Sequence, residues 1–219
     1  VNASINRTTV IFGLLSLFYL LVAPATPIEV SVLLKIAPIL FLSFLVVKAG
    51  INSPSVHLLF ALLFSMGGDV LLEFGLFVQG LSSFLLAQLL YGSLFLRYHR
   101  NWSANYQISL ALGCTSMVMA TVMWNYAGEM RVPVIAYLFV ITFMGLSANT
   151  STLKGVTLGA AVFILSDSII AISRFVMEVP AADWLIMTSY YLAQFLLASS
   201  LVQAIRAKAG TTQRGQPQL

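Results

Sequence analysis

The chain has 219 residues, of which 59% are hydrophobic and 8% charged, with a mean hydropathy of +0.95 and a formal net charge of +4. That balance excludes an ordinary soluble domain and implies an integral membrane protein with one domain. The basic residues stand singly at the ends of apolar runs, which argues against a nucleic-acid surface, and the lone cysteine, Cys114, excludes an internal disulfide and reads as buried apolar filler.

A helix needs about 20 apolar residues to cross the hydrocarbon core. Eight runs meet that need, over approximately residues 9–23, 30–47, 56–74, 81–96, 108–123, 132–147, 158–174 and 184–204. Breakers divide them: Pro24 and Pro27, residues 52–54, 75–80, 101–105, 128–133 and 149–155, and Pro180. The first run is read as a retained span and not as a signal peptide, because only Arg7 precedes it and "APATP" follows it. The runs are continuous and do not alternate, so the expected fold class is all-α, a polytopic bundle of eight transmembrane helices and not a barrel. Residues 1–206 form the single transmembrane domain, and 207–219, with no apolar face, are expected to be a disordered cytoplasmic tail.

With an even number of spans both termini share one side. That side collects eight basic residues, Arg7, Lys48, Arg97, Arg100, Lys154, Arg206, Lys208 and Arg214; the other holds Lys35, Arg131 and Arg174 beside Glu29, Glu129, Glu178 and Asp183. The positive-inside rule then places both termini in the cytoplasm, with Trp124, Tyr126 and Trp184 at the outer interface and Trp102 at the inner one. The expected location is a bacterial inner (plasma) membrane. Single cysteines in a Cys114→Ala background test the orientation. Positions 129 and 178 should react with impermeant reagent from outside, and position 154 and the tail only from the cytoplasm; labelling of position 178 only from the cytoplasm would reverse the topology.

Two aspartates interrupt apolar spans: Asp69 of the third, in "FSMGGDVLLEF", and Asp167 of the seventh, in "FILSDSII". At 1.5 Å per residue Asp69 lies about 20 Å along its span, in the outer half of the bilayer, and Asp167 falls at middle to outer depth. An acid at the centre of an isolated helix costs about 2.5 to 3.5 kcal/mol, so both should face the bundle interior or a wet cavity. Asn or Ser could bridge helices without that cost, so the acids point to function. Glu73 shares the face of Asp69 one turn further out, and Gly67 and Gly68 allow close approach to that face. Gln88 and Tyr91 on the fourth span, Tyr137 on the sixth, and Tyr190, Tyr191 and Gln194 on the eighth can converge on the same outer-half pocket; taken singly they also suit plain interhelical hydrogen bonding. Arg174 lies seven residues beyond Asp167, as a snorkelling end residue or a headgroup ligand. His57 and His99 stand apart from the acids and from each other, so neither a metal nor another cofactor is expected.

The third and fourth spans read "GDVLLEF" and "FLLAQLLYG"; the seventh and eighth read "SDSIIAISRF" and "YYLAQFLLAS". Both pairs set small-Asp-x-aliphatic-aliphatic on one helix and Ala-Gln on the next, the pattern of a parallel four-helix repeat about an axis along the membrane normal. A repeat of that kind keeps open the alternative of a proton-coupled transporter or lipid carrier using the same acids. An intramembrane aspartyl protease is disfavoured, because Met66 stands where its Gly-x-Gly-Asp pattern needs glycine.

The segments "GDVLL", "GLSSFLLAQLLYG", "SDSIIA" and "YYLAQFLL" together resemble the YhhN-like lysoplasmalogenase family. The resemblance implies an eight-helix membrane enzyme that hydrolyses the vinyl ether of lysoplasmalogens to a fatty aldehyde and glycerophospho-ethanolamine or -choline. Its catalytic pair would be Asp69 and Asp167, its substrate a lysophospholipid taken from the surrounding membrane lipids. Helix 4 of the family often carries His where this chain has Gln88, so a proton-shuttle role does not carry over to that position.

The chemistry suits two carboxyl groups. An acid protonates the β-carbon of the vinyl ether, water captures the resulting oxocarbenium ion, and the hemiacetal collapses to aldehyde and alcohol. One carboxyl must be protonated while the other is ionised to steady the cation or activate water, as in glycosidases, a likeness of mechanism and not of fold. Glu73 and Arg174 would read the headgroup, their charges being opposite to those of an ammonium and a phosphate.

Overall fold

The computed structural model describes residues 2–99 and 106–214, with side chains for 7–99 and 106–207. The chain runs through α1 (Asn2–Val22), α2 (Ile28–Lys48), α3 (Ser53–Glu73), α4 (Phe77–Leu96), α5 (Tyr106–Tyr126), α6 (Arg131–Thr150), α7 (Val156–Phe175) and α8 (Ala182–Arg214), with short 3-10 turns at Ala23–Ala25 and Gly128–Met130. Among the described residues all eight helices are long and apolar enough to cross a membrane, so the chain is a multi-pass membrane protein with an all-α fold. Helix α8 continues to Arg214 through the first part of the segment expected to be disordered; residues 215–219, with Arg100 and Trp102, lie outside the described residues.

Local chemistry sets the helix ends. Asn52 caps α3 by accepting from the Ser55 amide at 2.9 Å, and Pro54 fills the first turn, where its missing N–H costs nothing. Helix α7 starts after Gly155, whose φ of 91° is left-handed and open to glycine at no steric cost.

The main core joins Ile39, Leu42 and Val46 of α2, Leu58 and Leu62 of α3, Tyr91 and Leu94 of α4, Met144 of α6, Phe163 of α7 and Leu197 of α8. The most extensive pairings are α3 with α4, α7 with α8, and α4 with α6. Small residues let backbones close up at these crossings, and hydroxyls bridge them: Ser83 donates to the Phe64 carbonyl at 2.6 Å between α4 and α3, and Ser166 donates to the Ile186 carbonyl at 3.0 Å between α7 and α8. Large apolar side chains such as Leu14, Leu63, Leu110, Phe139 and Leu165 remain on the outside. On a soluble monomer these would be an anomaly, but on a bundle in lipid they cost nothing.

Cys114 corrects the sequence reading. It is exposed, not buried, because α5 packs chiefly on α6 and turns most of its surface outward. An apolar residue in a peripheral transmembrane helix can face lipid as readily as core, so hydrophobicity alone does not tell the two apart.

Candidate active site

The site lies where α3, α4, α6, α7 and α8 meet, at the end of the bundle where α3 finishes and α8 begins. Gly68 packs directly beneath the ring of Phe84, bringing α3 tight against α4 and setting the next residue, Asp69, into the interior at 3% exposure. Its carboxylate oxygen accepts from the Tyr190 hydroxyl of α8 at 2.7 Å. Tyr190 is held edge-on by Phe84 and Phe163, with ring centroids 6.0 and 5.5 Å away, so its hydroxyl has a defined direction.

Asp167 has an analogous arrangement from a different helix. The Tyr137 hydroxyl of α6 donates to its carboxylate. The two carboxyls lie within electrostatic reach of each other. Asp167 keeps part of its surface open, however, and together with Tyr137 it lines a cavity of about 50 Å³ whose other walls include Phe77, Leu81, Phe84 and Phe175. Asp69 is not among the residues that line this cavity.

Several further polar side chains are buried around the pair. Gln88, fully buried, lies beside Tyr137; Gln194 accepts from the Tyr91 hydroxyl at 2.7 Å and lies beside Tyr190; the Ser65 hydroxyl is buried one turn before Asp69. Burying an amide without a partner costs about 1 to 3 kcal/mol, so the interior around the two acids is polar at a place where an apolar residue would pack at lower cost.

One turn further out lies a second cavity, of about 340 Å³, lined among others by Tyr19, Ser31, Lys35, Glu73, Asp183 and Trp184. Glu73 accepts from Lys35 Nζ at 2.7 Å and from Ser31 Oγ at 3.0 Å. Tyr191 hydrogen-bonds to the main chain and not to an acid: its hydroxyl donates to the Lys35 carbonyl at 2.8 Å and helps hold α2 in place. Leu72 and Ile170 belong to the walls of both cavities. They follow Asp69 and Asp167 by three residues, so each acid lies one turn below the boundary between a polar space and an apolar one.

Arg174 lies away from the polar space. Its guanidinium sits 3.9 Å above the Phe77 ring centroid, a cation–π contact at the end of the apolar cavity, and it lines neither cavity. Lys35 is the residue that sequence reasoning missed. Its charge suits a topological role, yet a lysine flanked by Leu34 and Ile36 inside a span is also costly, and that cost is the signal the sequence carries. Tyr19 and Ser31 carry no pattern that would single them out, and the sequence marks Asp183 and Trp184 only as residues of one membrane face.

Helices α3 and α7, which carry the aspartates, pack against α4 and α8, which carry the Ala-Gln pairs. Their polar partners do not follow the same symmetry, since Asp69 takes its hydroxyl from α8 and Asp167 from α6.

The sequence profile of the YhhN family matches residues 30–201, which span every residue of this arrangement from Ser31 to Gln194 except Tyr19. The chain belongs to the YhhN family. Among curated relatives of this YhhN-family protein is lysoplasmalogenase TMEM86A of Bos taurus, 30% identical over 210 residues, covering 85% of this chain and 84% of the relative. Lysoplasmalogenase TMEM86B of Rattus norvegicus is 34% identical over 205 residues, covering 86% and 81%. Lysoplasmalogenase TMEM86B of Homo sapiens is 32% identical over 185 residues, covering 80% and 76%. No solved structure matches this YhhN-family chain significantly.

Proposed function

We propose that this YhhN-family protein is an intramembrane lysoplasmalogenase that uses Asp69 and Asp167 as its acid/base pair. The observation that carries this reading is the position of two tyrosine-bonded aspartates one turn below the boundary of a polar and an apolar cavity. A lysoplasmalogen is polar at one end and apolar at the other, with its vinyl ether between them. Laid across the Leu72 and Ile170 boundary, it brings that bond to the level of the acids. Relatives named lysoplasmalogenase, aligned over most of both chains, support the same chemistry.

Asp167 is the carboxyl with access to the apolar cavity, so it delivers the proton. The vinyl π bond takes that proton at its β-carbon, leaving an oxocarbenium ion at the α-carbon. Water adds there and gives up a proton to the carboxylate, forming a hemiacetal. The bond between that carbon and the glycerol oxygen then breaks as the hemiacetal hydroxyl gives up its proton and the leaving oxygen takes one, and the aldehyde departs; one water is consumed and the acid is restored. Asp69, enclosed and oriented by Tyr190, supplies the negative charge facing the cation as it forms.

The test pairs a lysoplasmenyl lipid with its saturated alkyl-ether analogue on purified protein. Fatty aldehyde should appear from the first and not from the second, since an alkyl ether has no π bond to protonate. Binding of both with no aldehyde from either would replace this reading with that of a lipid carrier.

A further inference from the structure

The larger cavity holds more charge than the reaction needs. Its walls bring together the Lys35 ammonium, the carboxylates of Glu73 and Asp183, the Ser31 hydroxyl, and the rings of Tyr19 and Trp184. Lys35 and Glu73 form an ion pair whose side chains are only 12% and 22% exposed. Bundle cohesion alone does not call for such a pair, because two well-packed apolar residues would serve as well or better. The pair also faces about 340 Å³ of space and not a packed neighbour.

We propose that this cavity reads a zwitterionic phosphate–amine lipid headgroup by exchange of ion pairs, with Lys35 taking the phosphate and Glu73, aided by Asp183, taking the ammonium. The inference rests on the hydrolase reading for the position of the ether, but the headgroup chemistry is argued from the cavity alone. When such a headgroup enters, Lys35 trades a carboxylate for a phosphate and Glu73 trades one ammonium for another. Every charge keeps an opposite partner and none is left desolvated by itself. A headgroup with phosphate but no amine strands Glu73, and a neutral glycerol gains nothing from either residue. Tyr19 and Trp184 provide aromatic surface of the kind that attracts alkylammonium groups. Lys35 thus takes the phosphate role for which the sequence had offered Arg174, whose guanidinium is occupied over Phe77 outside this cavity.

Equilibrium binding of radiolabelled, non-hydrolysable alkyl ethers to the detergent-solubilised full chain tests this without relying on turnover. Three ligands share one chain: 1-O-alkyl-lysophosphoethanolamine, 1-O-alkyl-lysophosphatidate and 1-O-alkylglycerol. The wild type should bind the first at least about tenfold more tightly than either of the others. Glu73→Gln should abolish the preference over the lysophosphatidate. Lys35→Met/Glu73→Leu, which removes both charges together and leaves neither unpaired, should abolish the preference over the alkylglycerol. A preference that survives in both variants overturns the proposal, as does full displacement of the lipid by free phosphoethanolamine at equal concentration. Failure of the hydrolase reading looks different: the binding pattern holds, and the vinyl-ether substrate yields no aldehyde.

Discussion

Asp167→Asn is expected to lower aldehyde release by about a thousandfold, and Asp69→Asn by about a hundredfold or more, while both proteins insert and unfold as the wild type does. General acid–base groups contribute roughly 10²- to 10⁴-fold in well-ordered sites, and Asp167 is placed at the upper part of that range because its carboxyl opens into the apolar cavity. An asparagine keeps the shape and can still accept from the Tyr137 hydroxyl, but it has no proton of suitable acidity to give to carbon. At position 69 it still accepts from Tyr190, so the hydrogen bond remains and only the charge is removed. Rates are measured as aldehyde formed per mole of folded protein, alongside thermal unfolding in detergent. Activity within tenfold of wild type in Asp167→Asn would remove that residue from the mechanism. A loss that tracks a fall in Tm would assign the acids to structure instead.

Gly68→Ala should be the most damaging single-methyl change in the site. A Cβ at Gly68 would lie 2.5 Å from two carbons of the Phe84 ring and 2.9 Å from a third, closer than real Cβ contacts allow. Phe84 has little room to yield, since it is buried and packs edge-on against Tyr190, the tyrosine that orients Asp69. Either α3 and α4 separate or the ring tilts into the neighbouring cavity. Overpacking of this kind costs about 1 to 3 kcal/mol, and here the displacement also reaches the carboxylate, so Tm and turnover should fall together. Gly113→Ala is the control. Nothing lies within 4 Å of the added carbon, and alanine is the better helix former, so stability should hold or rise slightly. Adding Phe84→Leu to Gly68→Ala should recover part of the lost Tm by restoring space; no recovery would place the strain elsewhere.

Helix ends lie beyond the apolar runs where flanking residues continue the hydrogen-bonding pattern, through Gly80 in one case. The fourth span, expected from residue 81, begins at Phe77, and the fifth, expected over 108–123, runs Tyr106–Tyr126. A hydropathy reading finds the part of a helix that seeks lipid, whereas hydrogen bonding continues until a cap or glycine stops it. Pro38 lies buried within α2, so not every proline inside an apolar run ends its helix.

The membrane class, the eight spans and the two aspartates are legible in the chain because each rests on a cost that any arrangement must meet: apolar surface avoids water, and an acid in lipid needs a partner. Which partner each acid has, that α5 carries Cys114 outward, and that Lys35 meets Glu73 across 38 positions of chain emerge only from the packing of the helices. These are matters of helix rotation and adjacency, and lipid-facing and core-facing residues are equally apolar. Without alternation of polar and apolar faces to record the inward side, the chain alone does not carry that information.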